Sequence, residues 1–221
     1  MPSGRADLRR RLEPVVGEII TELAAANAGR EAALRSCRRA IQLAGSAIKA
    51  VHRLESETAG ERVDGCEVEI RAAQTALAGF PALQHAGFLH DAEKEFVEAR
   101  VTIALVNGLE VPSPADLRVE PSAWMKGVAE AASELRRHLL DRLREGDVGR
   151  ASELLDLMDE SYDALMVVDF PDALTGGLRR TLDALRAVLE RSRGDLTSSV
   201  VQERLQRAIE DQGSKDARPP D

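Results

Sequence analysis

Aromatic side chains are almost missing from this chain: one Trp, one Tyr and four Phe among 221 residues. A sandwich of aromatic-rich strands is thereby excluded as the source of the core. So is a grip on nucleic acid that rests mainly on stacking bases against rings. Cysteine is scarce as well. Cys37 and Cys66 stand apart, with no CxxC and no Cys/His cluster, so neither a disulfide framework nor a structural zinc site is expected. The four histidines, His52, His85, His90 and His138, are scattered, and no Ser/His/Asp or Cys/His grouping for nucleophilic catalysis is evident. Lysine occurs only at 49, 94, 126 and 215, so positive charge is carried almost wholly by Arg. Guanidinium forks match phosphates bidentately, although codon bias gives the same skew. The formal net charge of −8 excludes a surface that is basic overall, so any nucleic-acid site must be local. No apolar run approaches the roughly 20 residues that span a bilayer, and no signal-peptide pattern opens the chain. A cytoplasmic protein without membrane contact is the expectation.

What is present reads as helix. Hydrophobic residues make up 43% and charged residues 31%, enough to bury a core of Leu, Ala, Val and Ile in a soluble protein. No segment alternates apolar and polar residues with β-branched enrichment, so no strand is expected. From Leu8 to about Leu54 the pattern is helical, either as one long helix or as two with a kink near Asn27–Gly29, with Pro14 tolerated in a first turn. Ser56 to Gly65 reads as a loop, and Cys66 to Leu77 as a short helix ended by Gly79–Phe80–Pro81. A helix from about Ala86 stops at Asn107–Gly108, and a Pro-containing connector leads to another from Ser122 to Glu145. Asp147 caps a helix over Gly149 to Val168. Leu178 to Arg193 forms the next, ended by Gly194, before a last amphipathic helix to about Glu210. The result is an all-α, single-domain bundle of roughly six or seven mostly long helices. Residues 1–7 are expected to be a flexible N-terminus, 8–212 the helical domain and 213–221 a disordered tail.

Two acidic pairs border the core stripes. In the segment from Phe88 to Val106, residues Phe88, Ala92, Phe96, Ala99, Ile103 and Val106 share one helical side, and Asp91, Glu95, Glu98 and Thr102 run along its border. Glu95 and Glu98 lie three residues apart, so their carboxylates repel unless a cation or donor sits between them. Glu130 and Glu134 repeat the arrangement beside the stripe of Trp124, Val128, Ala131, Leu135 and Leu139. Two helices offering two carboxylates each make a site for a hard cation. The same spacing also describes an ordinary solvated face. Gly127, near the second pair, admits either a close helix contact or a ligand. Arg35, Arg38, Arg39, Lys49 and Arg53 make the first helical region strongly basic, to pair with neighbouring acids or to meet a polyanion. Arg136, Arg137 and His138 form a second basic cluster, read as solvated surface, and His90 is placed no nearer than the rim of the acidic site.

Several segments together resemble the translin family, and within it translin-associated factor X and its archaeal relatives. They are the basic segment ending in Val51–His52–Arg53; EFVEA from Glu95 to Ala99; VEPSAWMKGVAEAASELRR from Val119 to Arg137; and the closing run from Arg144–Asp147 through Met158–Thr197. The resemblance covers roughly residues 30 to 200 and rests on the order of these pieces. It implies long helices assembled into hollow octamers that hold RNA or single-stranded DNA. It also implies a metal-dependent endoribonuclease site in which Glu95, Glu98, Glu130 and Glu134 are the catalytic and metal-binding residues. The family's second pair follows D-x-x-G-E-L. Here Glu130 replaces the Asp and Ser133 the Gly, which keeps both carboxylates and lengthens one arm.

On this reading Mg²⁺, or Mn²⁺, assists hydrolysis of single-stranded RNA, with Glu98 or Glu134 available as general base. Arg35, Arg38, Arg39, Lys49 and Arg53 contact phosphates, and the assembly is a homo-octamer or a mixed octamer with a translin-like subunit. Two rivals use the same residues. One is a translin-like scaffold that binds RNA or single-stranded DNA without cutting. The other is an all-α, Mg²⁺-dependent nucleoside-triphosphate pyrophosphohydrolase, which also carries an ExxE pair and a second acidic pair. A di-iron bundle is disfavoured, since neither acidic helix carries Glu-x-x-His.

Overall fold

Small residues let the first two helices pack closely. Ala33, Cys37, Ala40, Ala44, Ala47 and Val51 are buried on one side of α1 (Ser3–His52). They face Ala59, Val63, Cys66, Ile70, Ala73 and Leu77, spaced alternately four and three apart along α2 (Ser56–Leu77). The structure, a computed structural model, describes residues 3–216, with side chains described over 7–212. Among the described residues there is no strand. The remaining long helices are α4 (Phe88–Asn107), α6 (Pro121–Arg144), α7 (Val148–Met166) and α9 (Leu178–Asp216). Single helical turns, α3 (Pro81–Gln84), α5 (Pro114–Leu117) and α8 (Asp172–Thr175), occupy the connections. The expected all-α architecture is thus what the structure holds.

The centre of the molecule is the pair α4 and α6. Helix α4 packs against α1, α2 and α6; helix α6 packs against α4, α7 and α9. Phe96, Val97, Val101, Leu135 and Leu139 are fully buried between these layers. Gly108 ends α4 in the left-handed conformation (φ 65°), and its N–H donates to the Ala104 and Leu105 carbonyls, which is the stop signal the sequence carries. Asp147 caps α7 by accepting from the Arg150 N–H at 3.0 Å.

Four local expectations are corrected. Pro14 lies well beyond the first turn of α1. Of the two forms open to this region, the structure holds the single continuous helix, with no kink near Asn27–Gly29. Gly29 serves instead as a contact: a Cβ there would lie 2.8 Å from the Ala76 carbonyl oxygen and 2.9 Å from the Phe80 ring. Ser56 to Gly65 is helix, not loop, because the stripe that α2 buries against α1 already begins at Ala59 and Val63. Gly194 does not divide α9, since Arg136 of α6 bonds Ser192 at 3.0 Å and Asp195 at 2.7 Å, holding the turns on both sides of it. Arg136 and His138 are therefore not solvated surface, and His138 is buried.

At the termini, α1 begins at Ser3, inside the stretch expected to be flexible, and α9 reaches Asp216, inside the expected tail. Residues 1–2 and 217–221 lie outside the described residues. From residue 7 to 28, α1 overhangs the bundle, exposed almost throughout. Leu8, Leu12, Val15, Ile19 and Leu23 continue its core stripe into the open.

Candidate metal centre

Helices α4 and α6 bring the two acidic pairs together because Gly127 lets their backbones approach. A Cβ at Gly127 would stand 2.6 Å from Val97 Cβ and 2.8 Å from the Lys94 carbonyl oxygen. Glu130 follows one turn later on α6, opposite Glu95 and Glu98 on α4. Glu95, Glu98 and Glu130 each offer an oxygen such that the three lie within 4.8 Å of one another. Glu98 is buried at 8% exposure, while Glu95 and Glu130 are half-buried. Burial, reinforced by the charges of Glu95 and Glu130, pushes the Glu98 carboxyl up to about 8.

Glu134, the fourth expected acid, stands outside that trio. Its Oε2 lies 2.7 Å from His52 Nε2, at the end of α1. His52 Nδ1 in turn lies 3.2 Å from His138 Nε2, with the ring centroids 5.0 Å apart. Burial and the neighbouring His52 push His138 down to about 4. With His138 neutral, one hydrogen lies between the facing His52 Nδ1 and His138 Nε2, and His52 Nε2 faces the Glu134 carboxylate.

A lysine completes the cluster. Lys94 Nζ donates to Glu95 Oε1 at 2.9 Å and also to Glu130 Oε2. Its side chain is only 14% exposed. Both carboxylates hold its ammonium in the charged form, outweighing the opposing effect of burial. One turn beyond Glu98, the buried Thr102 hydroxyl has no hydrogen-bond partner.

Hard carboxylate oxygens converging from two helices, one of them buried, are a donor set suited to Mg²⁺ or Mn²⁺. No sulfur or imidazole belongs to the trio, which does not favour a soft or tetrahedral ion. Glu95, Glu98 and Glu130 are the residues that could share a divalent ion in place of the Lys94 ammonium, with Glu134 beside them, tied to His52.

Arg35, Arg38, Arg39 and Lys49 are exposed on α1, within an arc of about 100° opposite its buried stripe, and Arg53 is exposed just past the helix end. Arg53 pairs with Glu55. The other four enter no ion pair among the described residues. His90 is elsewhere, against Ser122 at 3.1 Å and close to Gly176. The sequence reading missed three contributors: Lys94, the bridging role of His52, and His138 behind it. Lys94 carries a weak signal, being one of four lysines and adjoining Glu95. The histidine pair carries none, because its members are 86 residues apart. Glu93 is a buried acid of another kind. It accepts from Gln74 Nε2 at 2.7 Å and from the Glu120 N–H at 3.1 Å, fastening α2 and the start of α6 to α4.

No protein-family model matches the chain. Over 126 residues it is 28% identical to an uncharacterised protein of Methanocaldococcus jannaschii, a match covering 57% of this chain and 55% of that protein. The matched stretch thus spans about half of that relative. Among solved structures, the crystal structure of AfC3PO is 30% identical with a TM-score of 0.78, over 85% of this chain and 97% of that one. AfC3PO in complex with duplex RNA gives 31% and 0.67 over the same shares. The crystal structure of apo-NeC3PO gives a TM-score of 0.71 over 90% of this chain and 98% of that one, at 16% identity, which speaks for the fold alone.

Proposed function

We propose, on the premise that this chain belongs to the translin family, that it is a metal-dependent endoribonuclease acting within a closed oligomer. The observation that carries the reading is the convergence of Glu95, Glu98 and Glu130 within 4.8 Å. Glu95, Glu98 and Glu130 would hold a Mg²⁺ or Mn²⁺ ion, with Glu134 joining them or remaining as a proton acceptor. Bound there, a divalent ion supplies stabilisation of the phosphoryl oxygens and activation of the attacking water. The chain's own residues do the rest. Arg35, Arg38, Arg39, Lys49 and Arg53 hold the phosphate backbone without reading bases. His52 keeps Glu134 oriented, so that a carboxylate beside the trio is available to take a proton from water.

RNA is the favoured substrate because AfC3PO, the relative at 31% identity, has been solved with duplex RNA. Single strands remain the expected form for cleavage, since a flexible backbone reaches a half-buried site more readily than a stiff helix does. The overhanging half of α1, with its exposed apolar stripe, supports assembly into a homo-octamer or a mixed octamer with a translin-like subunit. One observation favours the scaffold reading instead: Lys94 already neutralises two of the acids, as a purely structural ion-pair cluster would have it.

Cleavage of labelled RNA, single-stranded and duplex, separates the two. Wild type and Glu95→Ala/Glu98→Ala are compared in Mg²⁺, Mn²⁺ and EDTA. Metal-dependent cleavage lost in the variant is the expected result. RNA binding with no cleavage by either protein would leave the scaffold.

A further inference from the structure

The acidic cluster contains a cation of its own. Lys94 reaches Glu95 and Glu130, two of the three carboxylates whose oxygens converge, and it does so from a nearly buried position. Its reach across the helix pair follows from the fold. Gly127 brings α6 against the Lys94 backbone, and Glu130 sits one turn further along. The Lys94 arm therefore crosses a short gap. An ammonium at that point occupies the same lone pairs that a divalent ion would use. Two cations a few ångströms apart in a partly desolvated site repel strongly, so both cannot be held there at once.

We propose that Lys94 is a built-in competitor at this centre, and that a divalent ion binds Glu95 and Glu130 only by displacing the Lys94 ammonium. The proposal rests on the metal reading above and adds to it a positioning residue that sets metal affinity. The same displacement leaves a free ammonium at the edge of the site. Lys94 is thus a closing contact that opens as the ion arrives, and its charge makes the site selective for divalent over monovalent cations. A single positive charge gains little by exchanging with another.

The test uses the intact protein. Its four lysines, 49, 94, 126 and 215, give at most four side-chain ammonium signals in a ¹⁵N-lysine spectrum, and Lys94→Arg identifies the one from Lys94. Mg²⁺ titration is expected to shift or exchange-broaden that signal in step with binding, leaving the other three in place. Calorimetry with Mn²⁺ supplies the second readout. Lys94→Met is expected to bind at least about tenfold tighter than wild type, since a competing charge is gone. Lys94→Arg, which keeps the charge, is expected to stay close to wild type, and Glu95→Gln/Glu98→Gln to lose the isotherm. A Lys94 signal unmoved while Mn²⁺ binds at the acids would overturn the proposal and spare the metal reading. So would Lys94→Met binding no tighter than wild type. No binding by wild type or by Lys94→Met would overturn both. Should Lys94→Met fail to fold, the wild-type spectrum decides alone.

Discussion

Gly127→Ala is the substitution whose consequence is most directly written in the packing. The new Cβ would lie 2.6 Å from Val97 Cβ, 2.7 Å from Val97 Cγ1 and 2.8 Å from the Lys94 carbonyl oxygen. Ordinary contact begins near 3.4 Å, so α4 and α6 must part by just under 1 Å. Two of the three obstacles are a β-carbon and a backbone oxygen, neither of which a rotamer change can move. Overpacking of this kind costs about 1–3 kcal/mol, and here the upper end applies. Alanine returns about 1 kcal/mol by its better helix propensity. The net expectation is a loss of about 2 kcal/mol, measured as a shift in urea midpoint at constant slope.

The same parting moves Glu130 away from Glu95 and Glu98, and binding geometry tolerates only about 0.5 Å. Mn²⁺ affinity is therefore expected to fall by at least about tenfold, well beyond what the stability loss alone would do to a protein that stays folded. Val97→Ala in the same chain should recover only part of the stability, since it removes Cγ1 and leaves both the β-carbon and the Lys94 oxygen in place. A Gly127→Ala protein as stable as wild type, with unchanged Mn²⁺ affinity, would refute the claim that this close approach sets the spacing of the site.

Arg38→Ala/Arg39→Ala is expected to weaken RNA binding and to lower the salt dependence by about one counterion per residue, read from the slope of log Kd against log salt. It should leave cleavage at saturating RNA unchanged. The His138 ring, held down to about 4 against an ordinary 6.5, takes up fewer protons folded than unfolded. Its contribution is full above pH 6.5 and is lost as pH falls toward 4, up to about 3 kcal/mol, so His138→Gln should flatten stability across that window. Glu98 carries the opposite sign, being raised from 4.5 to about 8. The EDTA-treated protein should lose stability as pH rises from 4.5 through 8, by up to about 5 kcal/mol, and Glu98→Gln should remove that loss; a Glu98→Gln curve parallel to wild type would refute the assignment.

Most of the fold was legible because periodicity and stop signals agree in this chain. The Gly108 and Asp147 caps lie where the sequence places them, and the stripes of α4 and α6 are buried at Ala92, Phe96, Ala99, Val128, Ala131, Leu135 and Leu139, while Phe88, Ile103, Val106 and Trp124 are half-buried. The misplaced helix boundaries share one cause. Gly60, Gly65 and Gly194 read as breakers, but a glycine inside a helix breaks it only if packing on either side is weak. Gly29 is spent on contact with α2 and Phe80, a Cβ at Gly65 would meet Leu43 Cδ1 at 3.5 Å, and Gly194 is spanned by the bonds of Arg136. Such compensation comes from residues far away in sequence and leaves no local trace. The candidate site divides the same way. Carboxylates three and four apart announce themselves on one helix, whereas Lys94 crossing to Glu130 and His52 reaching Glu134 depend on which helices become neighbours.

Those cross-helix contacts explain why the fold tolerates four acids at a core edge. A buried carboxylate without a partner costs several kcal/mol, and four close together would unfold a domain of ordinary stability. Each acid here is answered within the chain. Lys94 serves Glu95 and Glu130 together, His52 serves Glu134, and Glu98, the most buried, has its carboxyl pushed up to about 8, where it keeps its proton near neutral pH. The answers come from α1 and α4, the helices that also carry the basic stripe and the first acidic pair. Charge compensation, the placing of the basic stripe and the acidic centre are therefore set by one packing arrangement, in which α4 lies between α1 and α6. A change that shifts α4 alters all three at once. The Gly127 contact, remote from solvent and bearing no charge, consequently bears on the chemistry as much as any carboxylate does.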